Sequence, residues 1–218
     1  PAVPVSAFDE AQRAAVYRAI HERRDMRHFV GGTVAPETLQ RLLEAAHAAP
    51  SVGLSQPWRF LRITDGSLRT AIHAQVQDEV QRTAAALGTR QDEFLQLKVE
   101  GIRDCAELLI ACVHDAGPST EIFGRRTMPA QMSLASVACA IENLWLATRA
   151  EGLGMGWVSM FEPATLAALL RLPADTTPIA VLCLGPVEAF YPLPMLQQQH
   201  WREPRPLSEL LHENLWPA

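Results

Sequence analysis

The feature that most constrains the fold is a long apolar helix that runs directly into a glycine-rich strand. Residues 131–150 carry apolar side chains at helical spacing, and Gly152 stands where a glycine typically ends a helix. Gly154 and Gly156 follow in an apolar run to Phe161 that we predict to be a strand. A dinucleotide-binding Gly-x-Gly fingerprint follows a strand and opens a helix, which is the reverse order. We therefore expect these glycines to cap the helix and to let backbone approach a flat ligand closely.

The rest of the chain mixes helices and strands without regular alternation. Helical spacing and capping residues, including a Ser6–Asp9 capping pair, predict further helices at 6–22, 36–50, 67–87, 90–104 and 163–171. Apolar runs predict strands at 58–63, 108–113, 154–161 and 178–187. This pattern favours a layered α+β fold in one domain over residues 1–218. The proline-rich stretch 186–218 is expected to be an extended C-terminal arm that packs over its own or a neighbouring subunit.

Charge and composition exclude several classes of function. A net charge of −5 over 218 residues argues against a nucleic-acid partner. Lys98 is the only lysine, which leaves almost no place for a Schiff-base or Walker A lysine. Neither a membrane-spanning run, a secretory signal nor metal-ligand spacing is visible. We therefore expect a cytoplasmic protein without a metal or membrane, with four buried, reduced cysteines: Cys105, Cys112, Cys139 and Cys183.

Three arginines surround one carboxylate near the front of the chain. Arg23, Arg24 and Arg27 lie within five residues around Asp25, at the end of the first predicted helix. The planar guanidinium group suits phosphate and carbonyl edges. The alternative is a solvated helix end, where cations complement the helix dipole. Asp25 is expected to be an ion-pair partner with a lowered pKa, or a base if a ligand covers it.

A second polar segment lies in the turn between a predicted helix and a predicted strand. Pro50 ends the helix, Gly53 permits a tight bend, and Pro57 fixes the entry into the strand. Ser51 and Gln56 can then offer hydrogen bonds to a ligand, although an ordinary polar turn explains them equally well.

Two further segments complete the set. The run Gly124–Pro129 repeats an arginine pair, Arg125 and Arg126, and the run 154–159 offers bare backbone that ends in the hydroxyl of Ser159. Such an inventory suits a phosphorylated, flat ligand with polar edges, and flavin mononucleotide (FMN) is the first candidate.

The ordered set of motifs resembles the nitroreductase-type flavoprotein family, and within it the cobalamin-biosynthesis branch of 5,6-dimethylbenzimidazole synthases. The motifs that carry the resemblance span roughly residues 17–210 and read RRDMRHF, LLEAAHAAPSVGLSQPWRF, GRRTMP, IENLWLATRAEGLGMGWVSMF and PIAVLCLGPV. Typical nitroreductases carry serine where this chain has Asp25 and usually asparagine where it has Leu54. Both departures match the synthase branch.

The resemblance implies an α+β fold with a mostly antiparallel central sheet flanked by helices. It also implies a homodimer of interlocked subunits with FMN at the interface, and a lid formed by residues 88–104. The implied flavin-binding residues are Arg23, Arg24, Arg27, Ser51, Gln56, Gly156, Trp157 and Arg205.

The reaction implied by the resemblance consumes the flavin itself. Reduced FMN and O2 yield 5,6-dimethylbenzimidazole, the cobalamin lower ligand, and D-erythrose 4-phosphate, while NAD(P)H acts through a separate flavin reductase. Asp25 is the implied general base or orienting group at the ribityl C1′, and Ser159 the implied hydrogen-bond partner of the flavin. Two alternatives stay open: an FMN-dependent NAD(P)H nitro or quinone reductase, which Asp25 disfavours, and a non-catalytic flavin-binding carrier.

Overall fold

The computed structural model describes residues 6–114 and 127–216, so the predicted arginine pair Arg125 and Arg126 lies outside the described residues. The helices of the described part are α1 (Glu10–Glu22), α2 (Pro36–His47), α3 (Gly66–Ala86), α4 (Gln91–Leu95), α5 (Pro129–Ala150), α6 (Pro163–Leu169) and α7 (Met195–Gln198). Its strands are β1 (Trp58–Arg62), β2 (Glu107–His114), β3 (Gly154–Val158) and β4 (Thr176–Gly185).

The strands form one sheet with the order β1-β2-β4-β3, and every neighbouring pair is antiparallel. Strands β2 and β4 lie in the middle and are buried over most of their length, whereas β1 and β3 lie at the two edges of the described sheet. The predicted α+β fold with an antiparallel central sheet is therefore confirmed.

Helices cover both faces of the sheet, and the two-residue period of the strands assigns side chains to each face. On one face Ile110 and Cys112 of β2 pack with the α3 side chains Ile72 and Val76. On the other face Leu109 of β2 joins a cluster that includes residues of α2 and α5. Burial on both faces explains why β2 reads as a continuous apolar run in the sequence.

Helix α1 begins with a capping box, although not the predicted one. The Asp9 carboxylate accepts a hydrogen bond from the Gln12 amide (2.8 Å), and the Gln12 side chain accepts one from the Asp9 amide (3.2 Å). Ser6 takes no part in this cap. The helix ends at Glu22, and Arg23 already has extended backbone angles. Residues 23–27 therefore lie just beyond the end of α1, as the sequence predicted, and the structure shows that they form an extended segment.

The predicted helix 90–104 is wrong beyond its first turn. Helix α4 ends at Leu95, and residues 96–104 form an irregular segment. Gly101 in this segment lies against the ring of Phe29 and the carbonyl oxygen of Arg27, so closely that a Cβ atom would collide with both. Tertiary packing across residues 27–29 thus overrides the local helical pattern.

The C-terminal arm divides into a packed part and an exposed part. Phe190, Tyr191 and Trp201 pack against the core cluster on the α3 face of the sheet. Leu207 and Leu211, by contrast, are more than 70 % exposed in the single chain. The arm therefore covers its own subunit only as far as about Trp201.

Three of the four cysteines are buried as predicted, but Cys139 is exposed on α5. The stripe that α5 buries against the sheet includes the flanking Ala140 and Ile141, and Cys139 falls outside it. No helix in the described ranges is long and apolar enough to cross a membrane.

Candidate functional site

The site forms where the extended segment after α1 crosses strand β3. Asp25 forms an isolated parallel bridge with Met155, and the Met26 amide donates a hydrogen bond to the Met155 carbonyl oxygen (2.9 Å). Met26 is fully buried. Because side chains alternate along an extended segment, Asp25 and Arg27 lie on the side opposite Met26, where both line a cavity.

Two glycines of β3 make this crossing possible. A Cβ atom at Gly156 would collide with the carbonyl oxygen of Met26 and with Nη1 of Arg27, and one at Gly154 would collide with Val187. The sequence predicted that these glycines let backbone approach a flat ligand closely. In the structure, part of the space beside them is filled by the protein's own chain. Gly152, with a φ of +75°, ends α5 as predicted.

The cavity has a volume of about 350 Å³ and a mostly apolar wall. Five polar residues line it: Arg23, Arg24, Asp25, Arg27 and Ser159. The apolar lining comes from three segments, namely residues 157–160, the predicted lid (Phe94, Leu97 and Val99) and the C-terminal arm (Pro194, Met195, Leu196 and Trp201). Four predicted site residues of one short segment therefore meet Trp157 and Ser159 in one cavity.

Asp25 and Arg27 hold the backbone of Trp157 between them, at its amide and at its carbonyl oxygen. The Asp25 Oδ1 atom accepts a hydrogen bond from the Trp157 amide (2.9 Å), and its Oδ2 atom accepts one from Arg27 Nη2 (2.6 Å). The same Nη2 atom donates to the Trp157 carbonyl oxygen (2.8 Å). Both carboxylate oxygens are thus fixed by donors, and the carboxylate has a single orientation relative to the cavity.

Burial raises the pKa of Asp25 above its ordinary value. The charge of Arg27, the Trp157 amide and the charge of Arg23 lower this pKa, in that order, but together they do not outweigh the loss of hydration. Although 43 % of the Asp25 side chain is accessible, it lines a cavity whose wall is mostly apolar. The lowered pKa expected from ion pairing alone is therefore wrong in direction.

Arg27 and Arg24 both leave buried donors without a hydrogen-bond partner among the described residues, and in Arg24 this donor is Nε. Arg27 is buried, and its Nε and Nη1 atoms have no hydrogen-bond partner among the described residues. Arg24 donates to the carbonyl oxygens of His21, Arg23 and Pro192, which ties the end of α1 to the C-terminal arm. Since a buried donor without a partner is costly, the free nitrogens of Arg27 indicate that a ligand supplies acceptors here.

Arg23 lies over the ring of Trp145, 4.4 Å from its centroid, and forms a 3.6 Å ion pair with Glu142. The Trp145 indole N–H donates to the carbonyl oxygens of Arg24 and Met155. The aromatic ring thus joins α5 to both the crossing segment and β3.

Ser51 and Gln56 do not line the cavity. The Ser51 hydroxyl oxygen accepts a hydrogen bond from the Gln56 amide (3.1 Å) inside a tight turn, in which Leu54 and Gln56 have positive φ angles of 53° and 46°. This turn precedes β1, at the sheet edge opposite β3, and three strand spacings of about 4.8 Å separate the two edges by roughly 14 Å. Arg205 is exposed on the arm and also lies outside the lining.

Sequence reasoning missed Tyr191. Its hydroxyl oxygen accepts hydrogen bonds from the amides of Arg27 (3.1 Å) and His28 (3.3 Å) and lies 2.6 Å from His28 Nδ1. The C-terminal arm is thereby fastened directly behind the Asp25–Arg27 pair. Nothing in the local sequence around Tyr191 indicates this contact, because its partners are more than 160 positions away.

A model of the nitroreductase family matches residues 20–186, which is most of the chain. The chain belongs to the nitroreductase family. Among its relatives, a Rhodospirillum rubrum protein named 5,6-dimethylbenzimidazole synthase is 40 % identical over 203 residues, which cover 91 % of this chain and 94 % of that protein. A Rhodobacter capsulatus protein of the same name is 34 % identical over 91 % of this chain and 96 % of its own length. The predicted resemblance to the family and to this branch is thus confirmed.

Solved structures of nitroreductases confirm the fold. Nitroreductase A from Vibrio parahaemolyticus superposes with a TM-score of 0.68 at 19 % identity, covering 94 % of this chain and 77 % of that one. An iodotyrosine deiodinase bound to FMN and 3-iodo-L-tyrosine gives a TM-score of 0.67 at 22 % identity, covering 81 % and 92 %. At these sequence identities the structural similarity shows the fold alone.

Proposed function

We propose that this nitroreductase-family protein is a 5,6-dimethylbenzimidazole synthase that cleaves reduced FMN in the presence of O2. One observation carries the proposal. A carboxylate with a raised pKa, Asp25, is fixed in an arginine-lined cavity at the position where typical nitroreductases have serine. The 40 % identity to a relative named as such a synthase supports the same conclusion.

The residues of the cavity fit FMN. Its volume of about 350 Å³ lies within the range of roughly 300–1,000 Å³ that is usual for sites of small organic ligands. Arg27 Nε and Nη1 offer buried donors to the acceptor atoms of the flavin, while Arg23 and Arg24 add positive charge. Trp157 and Val158 supply wall beside the ring, and the Ser159 hydroxyl is available for a hydrogen bond to it. When bound, reduced FMN supplies the electrons for O2 and the carbon skeleton of the product.

Asp25 is the proposed base at the ribityl C1′ position. An aspartate with an ordinary pKa is a weak base at neutral pH, and the raised pKa of Asp25 makes its carboxylate a better proton acceptor. Its two fixed hydrogen bonds orient the carboxylate before the flavin arrives.

In the proposed homodimer, a second subunit can supply the predicted flavin-binding residues that lie away from the cavity in the single chain. Ser51 and Gln56 lie at the opposite edge of the sheet, so they reach a flavin in this cavity only if another subunit contributes them. Helix α1 has no buried residue, and its Tyr17 is 59 % exposed. Together with the exposed apolar residues of segment 207–216, such surface is typical of a subunit interface.

We propose that residues 1–218 form one domain in which two segments close over the flavin. Residues 88–104 act as the lid and residues 186–218 as the arm, since both line the cavity. Arg205, which is exposed on the arm, is proposed to reach the flavin phosphate once the arm is seated on the dimer. Exclusion of water protects the reaction of the reduced flavin with O2. A separate NAD(P)H-dependent reductase supplies reduced FMN, and the free thiols fit the cytoplasm, where such reductases work.

The proposal is tested by aerobic incubation of the protein with FMN, NADH and a separate flavin reductase, followed by mass spectrometry of the products. We expect 5,6-dimethylbenzimidazole to appear while FMN is lost. Reactions without the protein or without O2 are the controls, and intact FMN with only hydrogen peroxide formed would overturn the proposal.

The competing function, an NAD(P)H nitro or quinone reductase, predicts a different result. Such an enzyme oxidises NADH at the expense of a nitroaromatic acceptor without any added reductase, and its FMN survives. A carrier binds FMN without either reaction. Nothing observed in the site favours these alternatives over the synthase.

A further inference from the structure

We infer that Arg27 is a positioning residue for Asp25, which fixes the orientation of the carboxylate and favours its charged form over the protonated one. The inference rests on the proposed synthase function and assigns Arg27 a task beyond holding the flavin. Its basis is the closed hydrogen-bonded ring that Asp25, Arg27 and the backbone N–H and C=O of Trp157 form at the edge of the cavity.

The ring has a defined order. The Trp157 amide reaches Asp25 Oδ1, Asp25 Oδ2 reaches Arg27 Nη2, and Nη2 returns to the Trp157 carbonyl oxygen, with distances of 2.9, 2.6 and 2.8 Å. One nitrogen atom of Arg27 thus holds both the carboxylate and the backbone of Trp157, the residue whose amide donates to that carboxylate. If Arg27 were present only to bind the flavin, this nitrogen would have no partner among the described residues, as Nε and Nη1 have none.

Arg27 is itself held rigidly. Its side chain is 9 % exposed, its amide donates to the Tyr191 hydroxyl (3.1 Å), and Nη1 lies in the space that Gly156 leaves open. A donor held in this way can keep a reacting carboxylate within the tolerance that catalysis demands.

Few other charges face Asp25. Arg23, on the same segment, is the second cation that acts on its pKa, but it is engaged with Glu142 and Trp145. Arg24 also lines the cavity, and it donates to three backbone carbonyl oxygens. The lid and the arm contribute only apolar residues to the cavity wall, and residues 157–160 contribute Ser159 as their one polar side chain. Without the Arg27 charge, the loss of hydration beside the apolar wall has a larger net effect on the pKa of Asp25. The carboxylate therefore binds its proton more tightly.

The first test needs no substitution and no turnover. In the flavin-free protein labelled with ¹⁵N, the Trp157 amide and the Arg27 side-chain resonances are followed by NMR as the pH is lowered. We expect both to titrate with one midpoint, and with the carboxyl carbon of Asp25 when the aspartates carry ¹³C. The Asp25→Asn variant assigns that carbon. Independent midpoints would overturn the inference.

The second test uses Arg27→Lys and Arg27→Gln, with Arg41→Gln as a surface control that loses an exposed ion pair with Glu151. In Arg27→Gln the titration midpoint of Asp25 should move to higher pH. The turnover rate at saturating reduced FMN should fall about 100-fold, and the acid limb of its pH–rate profile should also move to higher pH. Arg27→Lys keeps the charge and should restore the Asp25 midpoint in part.

The outcomes separate this inference from the proposed function. An unchanged Asp25 midpoint in Arg27→Gln, with weaker FMN binding as the only effect, would assign Arg27 to flavin binding and overturn the positioning role. A wild-type protein that shows the coupled titration but forms no 5,6-dimethylbenzimidazole would overturn the synthase proposal while the positioning of Asp25 by Arg27 stands.

Discussion

The carbonyl oxygen of Met26 occupies the space in which any side chain at Gly156 would lie. This contact fixes the distance between strand β3 and the backbone of residues 23–27. It therefore also fixes the position of Asp25 at the cavity. It is a contact between backbone and backbone, which cannot be relieved by rotation of a side chain.

Replacement of Gly156 by alanine should therefore be costly. We expect Gly156→Ala to lower the free energy of unfolding by about 3 kcal/mol, at the upper end of overpacking costs, because the crossing segment must move as a whole. Gly66→Ala is the matched control, since no atom lies within 4 Å of its Cβ position and its φ is not positive. It should be neutral or stabilising by up to about 1 kcal/mol. Urea unfolding measures both, and equal effects of the two substitutions would contradict this account.

The aromatic contact between the lid and the arm should control water access. The Arg90 guanidinium lies 3.6 Å from the centroid of the Trp201 ring, and the Phe94 ring lies 6.0 Å from it. We expect Trp201→Ala to loosen both segments, so that more hydrogen peroxide and less 5,6-dimethylbenzimidazole form per O2 consumed. Leu95→Ala, a neighbouring lid position that does not line the cavity, is the control. An unchanged peroxide yield in Trp201→Ala would show that this contact does not close the site.

The exposed end of the arm should be needed for the dimer. Leu207, Leu211 and Leu215 are each more than 70 % exposed in the single chain. A chain that ends at Pro206 should sediment as a monomer and should lose FMN binding, whereas the full chain should sediment at twice the mass of its 24.0 kDa subunit. Analytical ultracentrifugation measures this. A truncated chain that remains dimeric and binds FMN would place the interface elsewhere.

The raised pKa of Asp25 has a consequence for stability. The native protein holds this proton more tightly than the unfolded chain does, so the contribution of Asp25 to stability is full at low pH and is lost as the pH rises through its native pKa. The side chain of Asn cannot titrate. The free energy of unfolding of Asp25→Asn, relative to that of the wild type, should therefore increase as the pH rises through the native pKa of Asp25. Chemical unfolding between about pH 3 and pH 7 measures the difference. A difference that decreases as the pH rises would mean that ion pairing with Arg27 lowers the pKa instead.

Local pattern was sufficient to predict most of the fold. The apolar stripe of α5 and the continuous apolar run of β2 are periodic signals of burial, and the structure places both elements within a few residues of the prediction. The failure at residues 96–104 has a tertiary cause, because the contact of Gly101 with Phe29 is invisible in the local pattern.

The site was predicted in part for the same reason. Asp25 and Arg27 were found because they lie in one short motif, and their chemistry can be read without a structure. The direction of the Asp25 pKa could not be read, since it depends on apolar walls that come from the lid and the arm. The contact of Tyr191 with Arg27 is equally distant in sequence.

The central claim is that Asp25 lets a nitroreductase fold consume its flavin. The most direct measurement compares the wild type with Asp25→Ser, which restores the residue of typical nitroreductases. It records the rate at which 5,6-dimethylbenzimidazole forms and the amount formed per FMN lost. We predict one product molecule per FMN for the wild type, and for Asp25→Ser a rate lower by at least about 100-fold with FMN still bound. Product formation by Asp25→Ser at a rate close to that of the wild type would contradict the account.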